Sequence, residues 1–460
     1  MTALLLMLAA TSCSGACRPD SAPKPVAWQE DSALKGAEES WRKEPKAPSA
    51  IPEPPVPSAH GAAAASGARA QGSKGFSRLM TGHTRCRPPN LPPPPLHVPV
   101  RDPVFGTRLT RITDPGQLPG VERIRHFYSK ANPFNADGTR AILTTSEGAF
   151  VLYDTSSWTP IRPLNIGSST AEVQWHPENP NLLYHLDFVE RSPEVRGLFR
   201  YDVHDDSKTL LRDFKEYFTA RGKLEGNLDR RGRYYAMFGM RSKTDIEAFV
   251  YDIQEDRIGP RLPVTPRMAG DWISVSPSGR FVVMMGERSR IYDIQMKHLR
   301  DLPEGSFGHG DLCTTEDGRD VLVYDGADRQ LDANRNINIA DLGTGAERIG
   351  VRIGWKSTPH VSCRNLQLPG WALISTQGGD SVYPNHDFEI FWLKLDGSGE
   401  VRRLAHHHSS RERGGYFAEQ HAVTNGDGSL VLFASNWGSG PVCSYLVELA
   451  DPIPNPEGCQ

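Results

Sequence analysis

One pattern recurs along the chain from residue 103 onward, and it narrows the possible folds more than any other feature. Each copy holds a short strand, a small polar turn with glycine, a strongly apolar strand, and a strand closing on Tyr-Asp or an equivalent. Asn135-Ala136-Asp137-Gly138 precedes Ala141-Ile142-Leu143, and Val151-Leu152-Tyr153-Asp154 ends that copy. Ser276-Pro277-Ser278-Gly279 is followed by Phe281-Val282-Val283-Met284-Met285 and Ile291-Tyr292-Asp293, and Asn425-Gly426-Asp427-Gly428 by Leu430-Val431-Leu432-Phe433 and Tyr445-Leu446-Val447. Further copies turn at Asn179, Gly232, Gly318 and Gly370. The turn glycines Gly232, Gly279, Gly318, Gly370 and Gly428 are 47, 39, 52 and 58 residues apart.

A four-stranded blade takes about 40–50 residues, with insertions falling in loops. The seven copies therefore predict an all-β, seven-bladed β-propeller over residues 103–450. No helical periodicity competes with the strand pattern in this range. The last copy supplies three strands before the chain ends. The unassigned stretch 104–112 is expected to become the outer strand of that blade and to remove two open edges.

The remainder is export signal, tether and tail. Leu4-Leu5-Leu6-Met7-Leu8-Ala9-Ala10 is a short apolar run before Thr11, Ser12 and Cys13, the pattern of a secretory signal, although no Lys or Arg precedes it. Ala10-Thr11-Ser12-Cys13 resembles the lipobox of bacterial lipoproteins, which makes Cys13 the expected lipidation site and Cys17 the second candidate; the alternative is a secreted protein with ordinary cysteines. Residues 1–17 form this segment. Residues 18–102 read as a disordered linker, because residues 18–100 hold 16 of the 37 prolines and few large apolar side chains. Residues 451–460 are a tail. Lys+Arg total 52 against Asp+Glu 55, a net charge of −3, which excludes a general nucleic-acid binder. No apolar run is long enough to span a bilayer. Membrane contact is expected through the lipid anchor only, in the bacterial envelope or outside the cell.

The repeats are similar to those of TolB-type and WD40-like propellers of bacterial envelope proteins. Three segments carry a second resemblance: Gly308-His309-Gly310-Asp311, Pro359-His360-Val361-Ser362-Cys363 and Glu419-Gln420-His421-Ala422. By these the C-terminal half resembles the oligogalacturonate lyase family of seven-bladed propellers. The resemblance implies a divalent metal, Mn²⁺ or Zn²⁺, held by His309, His360, Gln420 and His421 where the inner strands open on one channel mouth. It also implies that the metal acidifies a proton beside a uronate carboxylate, with Arg125 and Lys130 pairing to substrate carboxylates. His126, Glu225 and Asp271 are expected to complete the rim. The family carries a Gln followed by two spaced histidines in its last blade. Here Gln420 and His421 are adjacent, and Val423 and Asn425 stand where a further His is expected. Adjacent strand residues alternate faces, so which of Gln420 and His421 faces the channel tests the register.

Other candidates carry less. His406-His407-His408, with Arg411 and Arg413 nearby, is expected in a solvated loop. Asp332, Asn334 and Asn336 alternate like the start of a calcium loop but lack its Gly and terminal Glu. Trp437 is a rim candidate for covering sugar rings, with core packing as the alternative. Cys313 and Cys363 are expected on adjacent channel strands, as a disulfide or as packed thiols, and Cys443 and Cys459 are a candidate pair for pinning the tail. The functional expectation is an exported ligand-binding or scaffold module whose polar top face meets an extracellular ligand or an envelope protein. The competing expectation is a metal-dependent lyase cleaving oligogalacturonate-like uronates by β-elimination.

Overall fold

The computed structural model describes residues 76–449 and Cys459, apart from 168–171, 190–193, 303–305, 328–333, 355–356 and 379–385. The signal-like segment with Cys13 and Cys17, most of the linker, and Asp332 lie outside the described residues.

Each repeat folds as an antiparallel sheet whose second and third strands are apolar. In the first blade these are Arg140–Thr145 and Phe150–Asp154, after the inner strand Ile124–Arg125 and before the outer strand Thr159–Pro163. Ala141, Leu143, Val151 and Tyr153 are buried because neighbouring blades cover both faces of these strands. The turn glycines work as the repeats suggest. Gly428 has a φ of +77°, a backbone conformation that side-chain-bearing residues rarely adopt, so the turn demands glycine.

Among the described residues the strands make seven blades. The fifth is Ser306–Thr314, Asp320–Ala327, Asn334–Asp341 and Glu347–Gly354. The sixth is Pro359–Ser362, Trp371–Thr376, Glu389–Lys394 and Val401–His406. The seventh has Val423–Thr424, Leu430–Ser435 and Cys443–Glu448, with Arg108–Arg111 paired antiparallel to the last of these as its outer strand. The N-terminal strand thus closes the ring as expected.

Packing shows the closure independently. Among the described residues, seven apolar clusters are each shared by two consecutive blades. One joins Ile124, Leu143 and Tyr153 of the first blade to Val423, Leu432 and Leu446 of the seventh. A single parallel bridge, Ile124 to Cys443, stitches the same seam.

The described part of the linker corrects its expected boundary. Residues 76–102 dock on the sixth and seventh blades. Phe76 packs edge-on to Trp371 at 5.0 Å, and Arg403 bonds to the carbonyls of Met80 and Thr84 through its backbone and side chain. Leu79 and Cys86 are buried. Prolines keep this strap extended, but its few apolar side chains fall where the blade edges offer apolar surface. Composition averaged over the segment hides that. The strap is also covalently held: Cys86 is bonded to Cys459, not Cys443 to Cys459. Cys443 lies buried and unbridged in the third strand of the last blade. The reason is spatial, since Cys86 of the strap rather than Cys443 lies beside Cys459.

Candidate functional site

Inner strands of a propeller converge on the channel, so residues at their starts meet although they are far apart in sequence. His309 lies in the inner strand of the fifth blade, His360 near the start of that of the sixth, and His421 two residues before that of the seventh. The rings of His309 and His360 are 4.8 Å apart between centroids, and those of His360 and His421 4.2 Å apart. Just beyond the first two histidines, Cys313 and Cys363 form a disulfide between the fifth and sixth inner strands. Asp311 reinforces the seam, accepting from Cys363 N at 2.7 Å and pairing with Arg364 at 2.8 Å.

The carboxylate that reaches these imidazoles is Glu419. Its Oε2 lies 3.4 Å from His360 Nε2 and 3.4 Å from His421 Nε2, and its Oε1 is 3.0 Å from Arg411 Nε. His360, Glu419 and His421 are all buried, and one donor atom from each lies within 4.8 Å of the other two. Gln420 is fully buried as well, and neither of its amide atoms is hydrogen-bonded among the described residues. Glu419 caps the short 3-10 turn Tyr416–Ala418, and His421 has a φ of 39°. Glu419 and His421 lie on one side, Oε2 3.4 Å from Nε2. The expected choice between Gln420 and His421 therefore becomes a Glu419–His421 pair. The signal for Glu419 was present, a carboxylate two residues before the last histidine, a spacing that puts two side chains on one side of an extended chain.

Burial disfavours the charged form of His360 and His421. The imidazole of His360 is held well below its ordinary range by burial and then by His309, and that of His421 by burial and then by His360 and Arg125. Neither ring nitrogen of His360 makes a hydrogen bond among the described residues, and His421 Nε2 makes none. Tyr128 lines the cluster, 4.7 Å from the His421 ring and 5.7 Å from that of His360; Tyr416 is 5.1 Å from His421.

The remaining expected rim residues are built in rather than free. Lys130 crosses the channel from the first blade, pairing with Glu225 at 2.7 Å and standing 3.5 Å over the Trp272 ring. It forms a floor. Asp271 beside it is pushed up to about 7, by burial and then by Glu225. Arg125 is buried and donates to the His126 carbonyl at 2.9 Å, to the Phe417 carbonyl at 2.6 Å and to His421 Nδ1. His126 sits behind the cluster, its Nε2 2.7 Å from the His421 carbonyl oxygen. Arg125 and Lys130 are thus already engaged, contrary to the expectation that they meet substrate carboxylates. Trp437 stacks on His408 at 4.3 Å and donates to the Leu91 carbonyl, so it anchors the strap. The run His406 to His408 is not a solvated loop: His406 and His407 are buried, bonded to the Cys86 and Thr376 carbonyls. Asn336, from the calcium-like alternation, is a buried strand residue.

The donor set suits a divalent cation. Ligands bound at about 2.0–2.2 Å to one ion stand roughly 3–3.5 Å apart. The two Nε2–Oε2 separations match that, and 3.4 Å is long for a hydrogen bond. Two imidazoles with a carboxylate form a common set for such ions.

No family model matches the chain, and no curated protein matches it by sequence. Solved structures match by shape. An oligogalacturonate lyase in complex with manganese superposes with a TM-score of 0.56 at 16% identity, over 80% of this chain and 99% of that one. The oligogalacturonate lyase from Vibrio parahaemolyticus does so with a TM-score of 0.53 at 12% identity, over 81% and 99%. At these identities the likeness establishes the propeller fold.

Proposed function

We propose that this protein is an exported propeller that binds a divalent cation at the buried channel-mouth cluster and uses it to take up a polar extracellular ligand. The observation that carries the reading is the convergence of Glu419 Oε2, His360 Nε2 and His421 Nε2 in a buried setting. Glu419, His360 and His421 would hold the ion, with His309 alongside, and a bound cation would act there as a Lewis acid toward a ligand oxygen. Arg125 contacts His421 and the Phe417 carbonyl, and Arg411 orients Glu419. Manganese in a lyase of the same fold supports the choice of ion. The two disulfides, Cys86–Cys459 and Cys313–Cys363, agree with an oxidising compartment, as does the signal-like start with Cys13.

The lyase reading asks for more. Uronate cleavage needs cations free to meet substrate carboxylates, and Arg125 and Lys130 are spent inside the protein. Binding is therefore preferred. The test is metal analysis of the purified protein, with Mn²⁺ titration before and after chelation. One equivalent of Mn²⁺ in the wild type and none in His360→Ala is the expected result. No binding by folded wild type overturns the proposal, and formation of unsaturated uronate from oligogalacturonate with Mn²⁺ returns the lyase reading.

A further inference from the structure

Arg125 stands on the wrong side of His421 for a simple metal ligand. A guanidinium only donates hydrogen bonds, so the Nδ1 it meets must be an acceptor. A neutral imidazole carries a single N–H, which then sits on Nε2 and points toward Glu419 Oε2, 3.4 Å away. Coordination through Nε2 needs the opposite arrangement, with the lone pair on Nε2 and the proton on Nδ1. That proton would face another donor. Metal-bound histidines normally offer their second N–H to a carboxylate or carbonyl. The other two contacts of Arg125, the His126 and Phe417 carbonyls, are neutral, and no ion pair involves Arg125 among the described residues. A fixed positive charge, acted on by the carboxylate of Glu419 but in no close ion pair, therefore lies against the proposed cation site, in surroundings that screen it poorly.

We propose that Arg125 is a built-in competitor of the cation. It holds His421 in the Nε2–H form and sets the affinity of the site below what its ligands alone would give. This rests on the metal reading of the cluster. Occupation requires the Arg125–His421 contact to break, so the site is tuned for weak, exchangeable binding.

The experiment compares Mn²⁺ affinity, by calorimetric titration, of the full chain and of Arg125→Met, with circular dichroism to verify folding. The variant should bind roughly tenfold tighter or more, equal to about 1.4 kcal/mol. A folded variant that binds no tighter than a binding wild type overturns this inference and leaves the metal reading standing. Binding by neither overturns both. Should Arg125→Met fail to fold, ¹⁵N-histidine NMR of the wild type decides, with His421 assigned by loss of its signals in His421→Gln. Nε2–H on His421 without metal, lost when Zn²⁺ is added, supports the proposal; Nδ1–H without metal overturns it.

Discussion

Glu419 Oε2 and His360 Nε2 lie 3.4 Å apart although 59 residues separate them in the chain, and both side chains are buried. The carboxylate comes from a 3-10 turn and the imidazole from the inner strand of the preceding blade. Their meeting makes Glu419 the residue on which cation binding should depend most visibly. Glu419→Gln keeps the shape and removes the charge. It should weaken Mn²⁺ binding by at least the roughly 10- to 100-fold that loss of a partner behind a metal ligand costs, and abolish the rise in Tm that Mn²⁺ produces in the wild type. Calorimetry and thermal melts with and without Mn²⁺ check this; unchanged affinity would remove Glu419 from the ligand set.

A buried charge cluster away from the histidines is structural. Arg403 Nε donates to Glu389 Oε2 at 2.9 Å, and both side chains are fully buried, with His386 Nδ1 3.1 Å from the same carboxylate oxygen. Removing one partner strands a buried charge. Arg403→Ala should cost about 3–5 kcal/mol, whereas Arg403→Met combined with Glu389→Leu should recover most of it. Urea unfolding of the two variants decides, and equal losses in both would contradict the role given to the charge.

The Cys86–Cys459 bridge closes a span of 373 residues between strap and tail. Cys459→Ser should lower stability by about 2–5 kcal/mol and expose residues 76–102 to limited proteolysis. Non-reducing peptide mapping should link Cys86 to Cys459 and recover Cys443 as a thiol. A Cys443–Cys459 peptide would contradict the assignment.

His185 supplies a pH test away from the cluster. Its fully buried ring stacks on Phe199 at 5.3 Å, and burial, then Lys208, lowers its pKa to about 3. The unfolded chain binds a proton here below about 6.5 and the folded one does not until about 3. The contribution of this group is therefore present above pH 6.5 and is lost as pH falls through that window, by up to about 1.4 kcal/mol per pH unit. His185→Phe should flatten the fall of Tm between pH 6.5 and 4 relative to the wild type. Parallel Tm curves would refute the assignment.

The repeat of glycine turns and apolar strands was enough to determine the blades, their number and the closure by residues 104–112. Each of those features is local: a turn needing positive φ, a strand needing two apolar faces, an outer position left empty. The closeness of His309, His360 and His421 was legible for the same reason, because equivalent places in consecutive repeats meet at the channel. Tertiary structure decided what a repeat cannot encode. Glu419 joined the cluster from a non-repeating turn. Arg125 and Lys130 were spent on partners contributed by other blades. Cys459 met Cys86 of the strap because that residue, not Cys443, lies beside it. Periodic packing is written in residue spacing, whereas partners across the channel and along the strap are chosen by which side chains the closed ring brings within a few ångströms.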